Sequence, residues 1–319
     1  MNKRSLMDVR RLSIFLAVVD EGGFTRAADV LGVSQPAVSQ AIRELEIDLG
    51  TALFHRLGRG VRLTPAGEAL VLPARQVRRD LENGRQAVEE VSGLGTGRLD
   101  MACLPTLAFD PVAPLIGAFR SRYPGVSLVL GNLEGTADLV GAVRSGRFEV
   151  GIADHVRADD LTSVAIGDQE FLVVLPPGSS SHGPFPLRQL SSMPLVAPPA
   201  GSSTRAVLDR ALGRSWSVPR VMVETAQREA LVPLVLAGAG AALLPRPMAV
   251  IAGRLGCIVA KPRPAVIRPL AIIHRTTPLT PAAERFVEMA RTGAHPKPDD
   301  PSMARSERTS DRATTGPEP

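Results

Sequence analysis

Aromatic residues make up only 3% of this 319-residue chain. Rows of aromatics that stack unpaired bases are therefore excluded, which argues against a single-strand or RNA-binding sheet. No run approaches the ~18 apolar residues of a membrane span, and Met1-Asn2-Lys3-Arg4 is followed by no apolar signal core. The expectation is a cytoplasmic protein without membrane contact. Cysteine is scarce as well: Cys103 and Cys257 lie far apart and outside any metal-ligand spacing, so free thiols and no metal are expected. Five scattered histidines supply no cluster, and no Ser or Cys sits in a nucleophile-elbow or Cys-His context, so no catalytic residue and no cofactor are expected. "AGAGAALL" at 237–244 superficially looks like a dinucleotide fingerprint, but it follows a helical pattern and opens a strand, the reverse of what phosphate binding requires.

What is present can fill real cores. Hydrophobic residues make up 44%, supplied mainly by Leu, Val, Ile and Ala, and the length calls for more than one domain of ~100–200 residues. A formal charge of +5 suggests a polyanionic partner. Residues 1–65 nevertheless hold nine Arg/Lys against seven Asp/Glu, so the case must be made locally.

The local case is "FTRAADVLGVSQPAVSQAIRELE", residues 24–46. Thr25 reads as the cap of a helix through Leu31, Gly32 as a tight turn with positive φ, and Ser34 as the cap of a second helix with Pro36 in its donor-free first turn. This is the grammar of a helix-turn-helix. At ~100° per residue, Val38, Ile42, Leu45 and Leu49 share one face of the second helix, while Pro36, Ser39, Gln40 and Arg43 lie toward the other. That polar face suits the major groove: Gln pairs with adenine, Arg with guanine, Ser with either, and small apolar groups meet a thymine methyl. A solvated face on a helical bundle is the bland alternative, but caps, turn glycine and the small Ala27-Ala28 pair agree with the sharper reading. Downstream, "FHRLGRGVRLTPAG" places Arg56, Arg59 and Arg62 on two short runs around a Gly-Arg-Gly turn. It reads as a β-wing whose arginines neutralise phosphates.

From Thr64, capping a helix that begins with Pro65, small or apolar residues recur at heptad spacing: Leu70, Ala74, Val77, Leu81, Gly84, Val88 and Val91. Such a seam calls for a second helix, with Pro73 expected to kink it and Gly84 to weaken it. "SGLGTG" at 92–97 then reads as a linker. Beyond it, strand-like runs at Arg98–Leu104, Val126–Leu130, Phe148–Ala153, Phe171–Leu175, Leu195–Ala197, Val218–Val223, Ala241–Leu244 and Leu270–His274 alternate with helical patterns. These predict α/β units with largely parallel pairing. From Ala294 the chain has no Leu, Ile, Val or aromatic, the composition of a disordered tail.

Residues 5–72 closely resemble the winged helix-turn-helix of LysR-type transcriptional regulators. "FRSRYPGVSLVL", "GSSTRAVLDRAL" and "LVLAGAGAALLPRPMAV" are similar to that family's effector domain, so the resemblance reaches about residue 291. It implies a multi-domain chain: a DNA-binding domain at 1–65, a dimerising linker helix at 66–92, a two-lobed α/β effector domain resembling type 2 periplasmic binding proteins at 93–293, and the tail at 294–319. Lobe I would span about 93–166 and 269–293, and lobe II about 167–268. It also implies a homo-oligomer, dimer or tetramer, with double-stranded promoter DNA, a small-molecule effector and RNA polymerase as partners.

By resemblance, Thr25, Arg26, Ser34, Gln35, Pro36, Ser39, Gln40 and Arg43 meet DNA and the wing arginines clamp it. For the effector, "CLPT", "AGSSTR" and "ETAQ" should meet between the lobes, where Thr106, Ser202, Ser203, Thr204, Thr225 and Gln227 suit a small anion at helix N-termini. Simple helix capping explains Ser202–Thr204 about equally well. Leu104 departs from the hydroxyl that many relatives carry there, which implies a less polar effector or backbone contact; Asp154 and His155 end a strand and could face the cleft, although a strand-end Asp more often caps a turn. An architectural DNA binder without ligand sensing and a solute-binding protein are the competing functions.

Overall fold

The structure is a computed structural model, and it describes residues 8–56, 61–91, 97–154, 156, 158–180, 183–213 and 220–293. The N-terminal seven residues, the wing tip with Arg59, residues 92–96, His155, the start of the expected Val218–Val223 strand and the tail lie outside these.

Three helices build the N-terminal body: α1 (Val9–Glu21), α2 (Phe24–Leu31) and α3 (Gln35–Leu49). Gly32 takes φ 66° between α2 and α3, and Ser34 caps α3, its Oγ accepting from the Ala37 N–H at 3.4 Å. Thr25 does not cap α2. The helix starts two residues earlier, at Phe24 with Gly23 at the cap position, so Thr25 is an exposed first-turn residue. Val38, Ile42 and Leu45 are buried, but Leu49 is 38% exposed, because α3 ends there at Gly50 and runs past its partners. Ala27 and Ala28 are buried, and the Phe15 and Phe24 rings lie 5.4 and 5.6 Å from that of Phe54, where strand β1 (Phe54–Arg56) pairs with β2 (Val61–Leu63). Three of the chain's few aromatics thus fix the wing to the helices.

Helix α4 (Pro65–Val91) follows, capped by Thr64, whose Oγ1 accepts from the Gly67 N–H at 3.1 Å and donates to the Ala52 carbonyl at 2.7 Å. A Cβ on Gly67 would lie 2.2 Å from the Leu53 carbonyl oxygen, so only glycine lets this helix start against the wing. Its two halves differ. Leu70, Val71 and Ala74 join the N-terminal core, whereas Val77, Leu81 and Val88 are 38%, 52% and 67% exposed.

The remainder runs β3 (Gly97–Cys103), α5 (Pro105–Leu107), α6 (Ala113–Arg122), β4 (Val126–Asn132), α7 (Thr136–Arg144), β5 (Val150–Asp154), β6 (Leu161–Leu175), β7 (Phe185–Pro186), α8 (Leu187–Leu190), β8 (Leu195–Ala197), α9 (Ser203–Leu212), β9 (Val221–Glu224), α10 (Leu231–Leu236), β10 (Ala242–Pro245), α11 (Arg246–Arg254), β11 (Ile258–Ala260), β12 (Pro262–Arg263), β13 (Val266–Arg275) and α12 (Pro281–Arg291). A seven-stranded sheet has the order β10-β6-β13-β5-β3-β4, with β11 also on β6. The long antiparallel pair β6–β13 passes through two lobes. Leu161–Ala165 with Ala271–Arg275 belongs to the lobe of β3–β5, and Phe171–Leu175 to the lobe of β10 and β11. Between the lobes the register slips at Leu270/Ala271, leaving Ile166 without an opposite residue.

Parallel pairing holds for β3–β4, β3–β5, β8–β9 and the short β7–β12. The expectation of a largely parallel sheet fails at the centre, because β6 and β13 cross between lobes in opposite directions and every strand beside either in this sheet is antiparallel to it. The first half of β6 also went unread, since "LTSVAIGDQE" is half exposed and carries no strong hydrophobic alternation. Each lobe has its own core, one around Phe119, Ile152 and Phe286, the other on both faces of the β6–β10 pair.

Candidate nucleic-acid interface and ligand cavity

On α3, Gln35, Pro36, Gln40 and Arg43 are exposed and Ser39 is half-buried. Gln35 donates to the Ser39 hydroxyl at 2.8 Å, Gln40 to Glu44 at 2.9 Å, and Arg43 Nε to the Ser39 carbonyl at 3.3 Å. These one-turn bonds pre-order the donors without burying them. Two nearby acids are held elsewhere: Asp48 pairs with Arg11 of α1 at 2.5 Å, and Glu46 accepts from the Leu53 and Phe54 N–H groups at 2.8 and 3.4 Å, while Glu44 is shared between Arg11 at 3.4 Å and Gln40 on the reading face. Ser34 and Thr25 are exposed beside this face. Arg26 is exposed too, yet it donates to the Glu21 and Gly22 carbonyls at 2.6 and 3.1 Å, closing the C-terminus of α1. Arg62 is exposed on β2, and Arg56 closes β1.

Below this body, α4 touches the first lobe through arginines that sequence reasoning missed. Arg75, 3% exposed, donates to the Ser145 carbonyl and hydroxyl, both at 3.0 Å, and pairs with Asp20 of α1. Arg79 donates to the Gly146 carbonyl at 3.0 Å, and Arg275 to that of Val143 at 3.2 Å. All three therefore meet carbonyls at the C-terminal end of α7, the negative pole of its dipole. Gly146 has φ 71°, and a Cβ there would lie 2.3 Å from Arg275 Nη1 and 2.7 Å from Arg79 Nη1. Burial first, then the neighbouring Arg275, brings the Arg79 guanidinium down to about 10.

Between the lobes, Thr106, Ser202, Ser203 and Thr204 are all buried. Thr106 and Thr204 hydroxyls lie 3.3 Å apart across the cleft. Ser202 caps α9, accepting from the Arg205 N–H at 3.3 Å. Ser203 N–H donates to the Glu134 carbonyl at 3.1 Å, and the Glu134 carboxylate pairs with Arg228, so Glu134 latches one lobe to the other. Thr225 Oγ1 accepts from the Gln227 N–H at 3.1 Å in the turn after β9, and Gln227 is exposed.

A cavity of about 440 Å³ lies beside α9, lined by Thr136, Asp154, Gly201, Ser203, Ala206, Arg210, Arg268 and Pro269. Of the residues expected to meet an effector it includes Ser203 alone; Thr106, Ser202, Thr204, Thr225 and Gln227 are not part of its lining. Its deepest charge is Arg268, fully buried on β13 over the Phe171 ring at 5.4 Å. Arg268 Nη2 donates to Thr106 Oγ1 at 2.9 Å and to Gln169, while Nε stands 3.5 Å from Asp154 Oδ1. Burial lowers its pKa to about 10, against the pull of Asp154; burial likewise raises that of Asp154. The signal for Arg268 was present as a lone arginine inside the apolar run "VIRPLAIIH". Leu104 packs into the first-lobe core, so its missing hydroxyl is not replaced at that position. Among the described residues no metal-binding cluster occurs and no helix is long and apolar enough to cross a membrane.

A capped helix-turn-helix with a wing, joined by a long helix to a two-lobed α/β body with a pocket between its lobes, defines a DNA-binding regulator carrying a ligand-binding domain. Residues 9–68 match the family described as bacterial regulatory helix-turn-helix protein, lysR family, and residues 92–294 match the LysR substrate binding domain. The chain belongs to the LysR family of transcriptional regulators. It is 31% identical over 295 residues to the HTH-type transcriptional regulator TfdS of Cupriavidus pinatubonensis, covering 90% of this chain and 99% of that one. Over 294 residues it is 30% identical to GltR of Bacillus subtilis, covering 89% and 96%. Among solved structures, full-length CbnR in complex with its target DNA matches with TM-score 0.62 and 25% identity, covering 90% of this chain and 99% of that one. A full-length OxyR variant from Pseudomonas aeruginosa matches in fold at TM-score 0.70 and 23% identity, covering 89% and 94%.

Proposed function

We propose that the protein is a cytoplasmic homo-oligomer, dimer or tetramer, that reads promoter DNA through Gln35, Pro36, Ser39, Gln40 and Arg43 on α3. Thr25, Ser34 and the wing arginines Arg56, Arg59 and Arg62 hold the phosphates, and Arg26 mainly fixes the angle between α1 and α2. The observation that carries this reading is the α3 face itself, whose donors are exposed and pre-ordered by one-turn bonds while its acids are each paired, Glu44 and Asp48 with Arg11 and Glu46 with the start of the wing. Val77 and Leu81, exposed on the second half of α4, support pairing of that helix with a second copy. The division into domains at 1–65, 66–92 and 93–293 follows the same logic.

A small effector binds between the lobes in this reading. Helix α7 then carries the signal: its first residue, Thr136, lines the cavity one residue beyond Gly135 and the latch residue Glu134, and its last turn is gripped by Arg75, Arg79 and Arg275. At nine residues it is a rod of ~13 Å between cavity and linker helix. Lobe movement shifts α4 and hence the spacing of paired reading heads, which alters DNA bending and the surface offered to RNA polymerase.

The test is a footprint on DNA upstream of the protein's own gene at two salt concentrations. The expected result is a protected, interrupted palindrome over several helical turns. Diffuse, salt-labile protection would instead mean either a target elsewhere in the genome or an architectural role, which genome-wide mapping separates.

A further inference from the structure

The cavity beside α9 holds polar atoms that the folded chain leaves without hydrogen-bond partners. Arg268 Nε and Nη1, Asp154 Oδ1 and Ser203 Oγ are all enclosed and none makes a hydrogen bond. Arg268 and Asp154 attract each other at 3.5 Å, too far apart to bond. A desolvated guanidinium with unused N–H groups is costly and gains strongly from an anion. Arg210, exposed on α9, lines the same cavity, so two guanidinium groups face one carboxylate and the unmatched charge is positive. Asp154 in turn needs a donor, which a bare anion cannot give.

Resting on the reading that the cleft is a ligand site, we propose that this cavity binds a small carboxylate that also carries a hydroxyl or ammonium group. The carboxylate meets Arg268 and Arg210, and the donor meets Asp154 with Ser203 alongside. Size agrees: about 440 Å³ is toward the small end of the ~300–1,000 Å³ range of ligand pockets. Arg268 and Ser203 are sealed from water while Glu134 bridges to Ser203 and Arg228, so the ligand enters when this latch opens and is enclosed when it closes. A purely apolar molecule would leave all four atoms unpaired, and an uncharged polar one would leave the guanidinium charge uncompensated.

The experiment is titration calorimetry on the full-length protein with lactate, malate and serine as donor-bearing acids. Propionate and succinate are acids without the donor, and lactamide and serinamide lack the carboxylate. At least one donor-bearing acid should bind, its donor-free counterpart about tenfold or more weakly, and its amide not measurably. Arg268→Gln should weaken the bound acid roughly 10- to 100-fold, and Ser203→Ala, a milder change at the same wall, about 3- to 10-fold. No binding by any acid, equal binding with and without the donor, or full affinity in folded Arg268→Gln would each overturn the proposal. Footprints of the same proteins keep the two readings separate: a wild-type protein that protects its palindrome but ignores the acids fails here alone.

Discussion

The reading head and the ligand cavity use the same chemistry, amide, hydroxyl and guanidinium, in opposite settings. On α3 the polar side chains bond to residues four places away and stay exposed. In the cavity the bonds join residues 98, 99 and 162 positions apart and are closed to solvent. A surface that must meet a large polyanion keeps its donors outside and lets the helix order them. A site for a small molecule brings donors from several elements into one enclosure and leaves some unsatisfied for the ligand to complete. The first kind is written in one short segment; the second exists only after folding.

The largest expected effect separates the two bodies outright. Phe15→Ala removes a ring buried against Phe54 and should cost the N-terminal body about 3–5 kcal/mol, abolishing DNA binding while the lobes keep their own unfolding transition in calorimetry. Loss of both transitions together would show that the bodies do not fold independently. Next is Arg75→Ala, which strips Asp20 and Ser145 of a shared partner. With Asp20 30% exposed the cost should be about 2 kcal/mol by denaturant titration, and any ligand effect on DNA affinity should shrink with it. Unchanged coupling would remove α7 and its clamp from the signal route.

Smaller effects sharpen the contrast within the reading head. Arg43→Ala should lose about 1–2 kcal/mol of discrimination between the operator and scrambled DNA in competition binding, with the fold unaffected. Equal loss on both DNAs would make Arg43 a phosphate contact. Arg62→Ala should weaken both DNAs alike by under about 1 kcal/mol and reduce the salt slope by about one.

The same contrast explains what the sequence could disclose. Gly32, Ser34, Pro36, Thr64 and the helical spacing of Val38, Ile42 and Leu45 are local instructions, and the N-terminal fold follows from them. Where a local signal had two solutions the reading slipped, as at Thr25, where Gly23 takes the cap, and at Leu49, where the helix outruns its core. The strands of the lobes were visible as apolar runs, but their direction was not, because β6 and β13 pair across about a hundred residues. In the cleft, Ser202–Thr204 were legible as a helix start, while Arg268 and the α7 clamp depend on partners that only tertiary folding supplies.

The most direct test of the claim that the cleft governs the reading head needs no identified ligand. Arg228→Gln removes the ion-pair half of the Glu134 latch, far from α3, and leaves the Ser203 N–H bond to the Glu134 carbonyl in place. Its footprint length and DNA bend angle would be measured beside those of the wild type on the same upstream DNA. A changed footprint or bend with unchanged sequence preference is the predicted result. Identical footprints and bend angles, in a variant whose lobes are shown by scattering to have opened, would contradict the account.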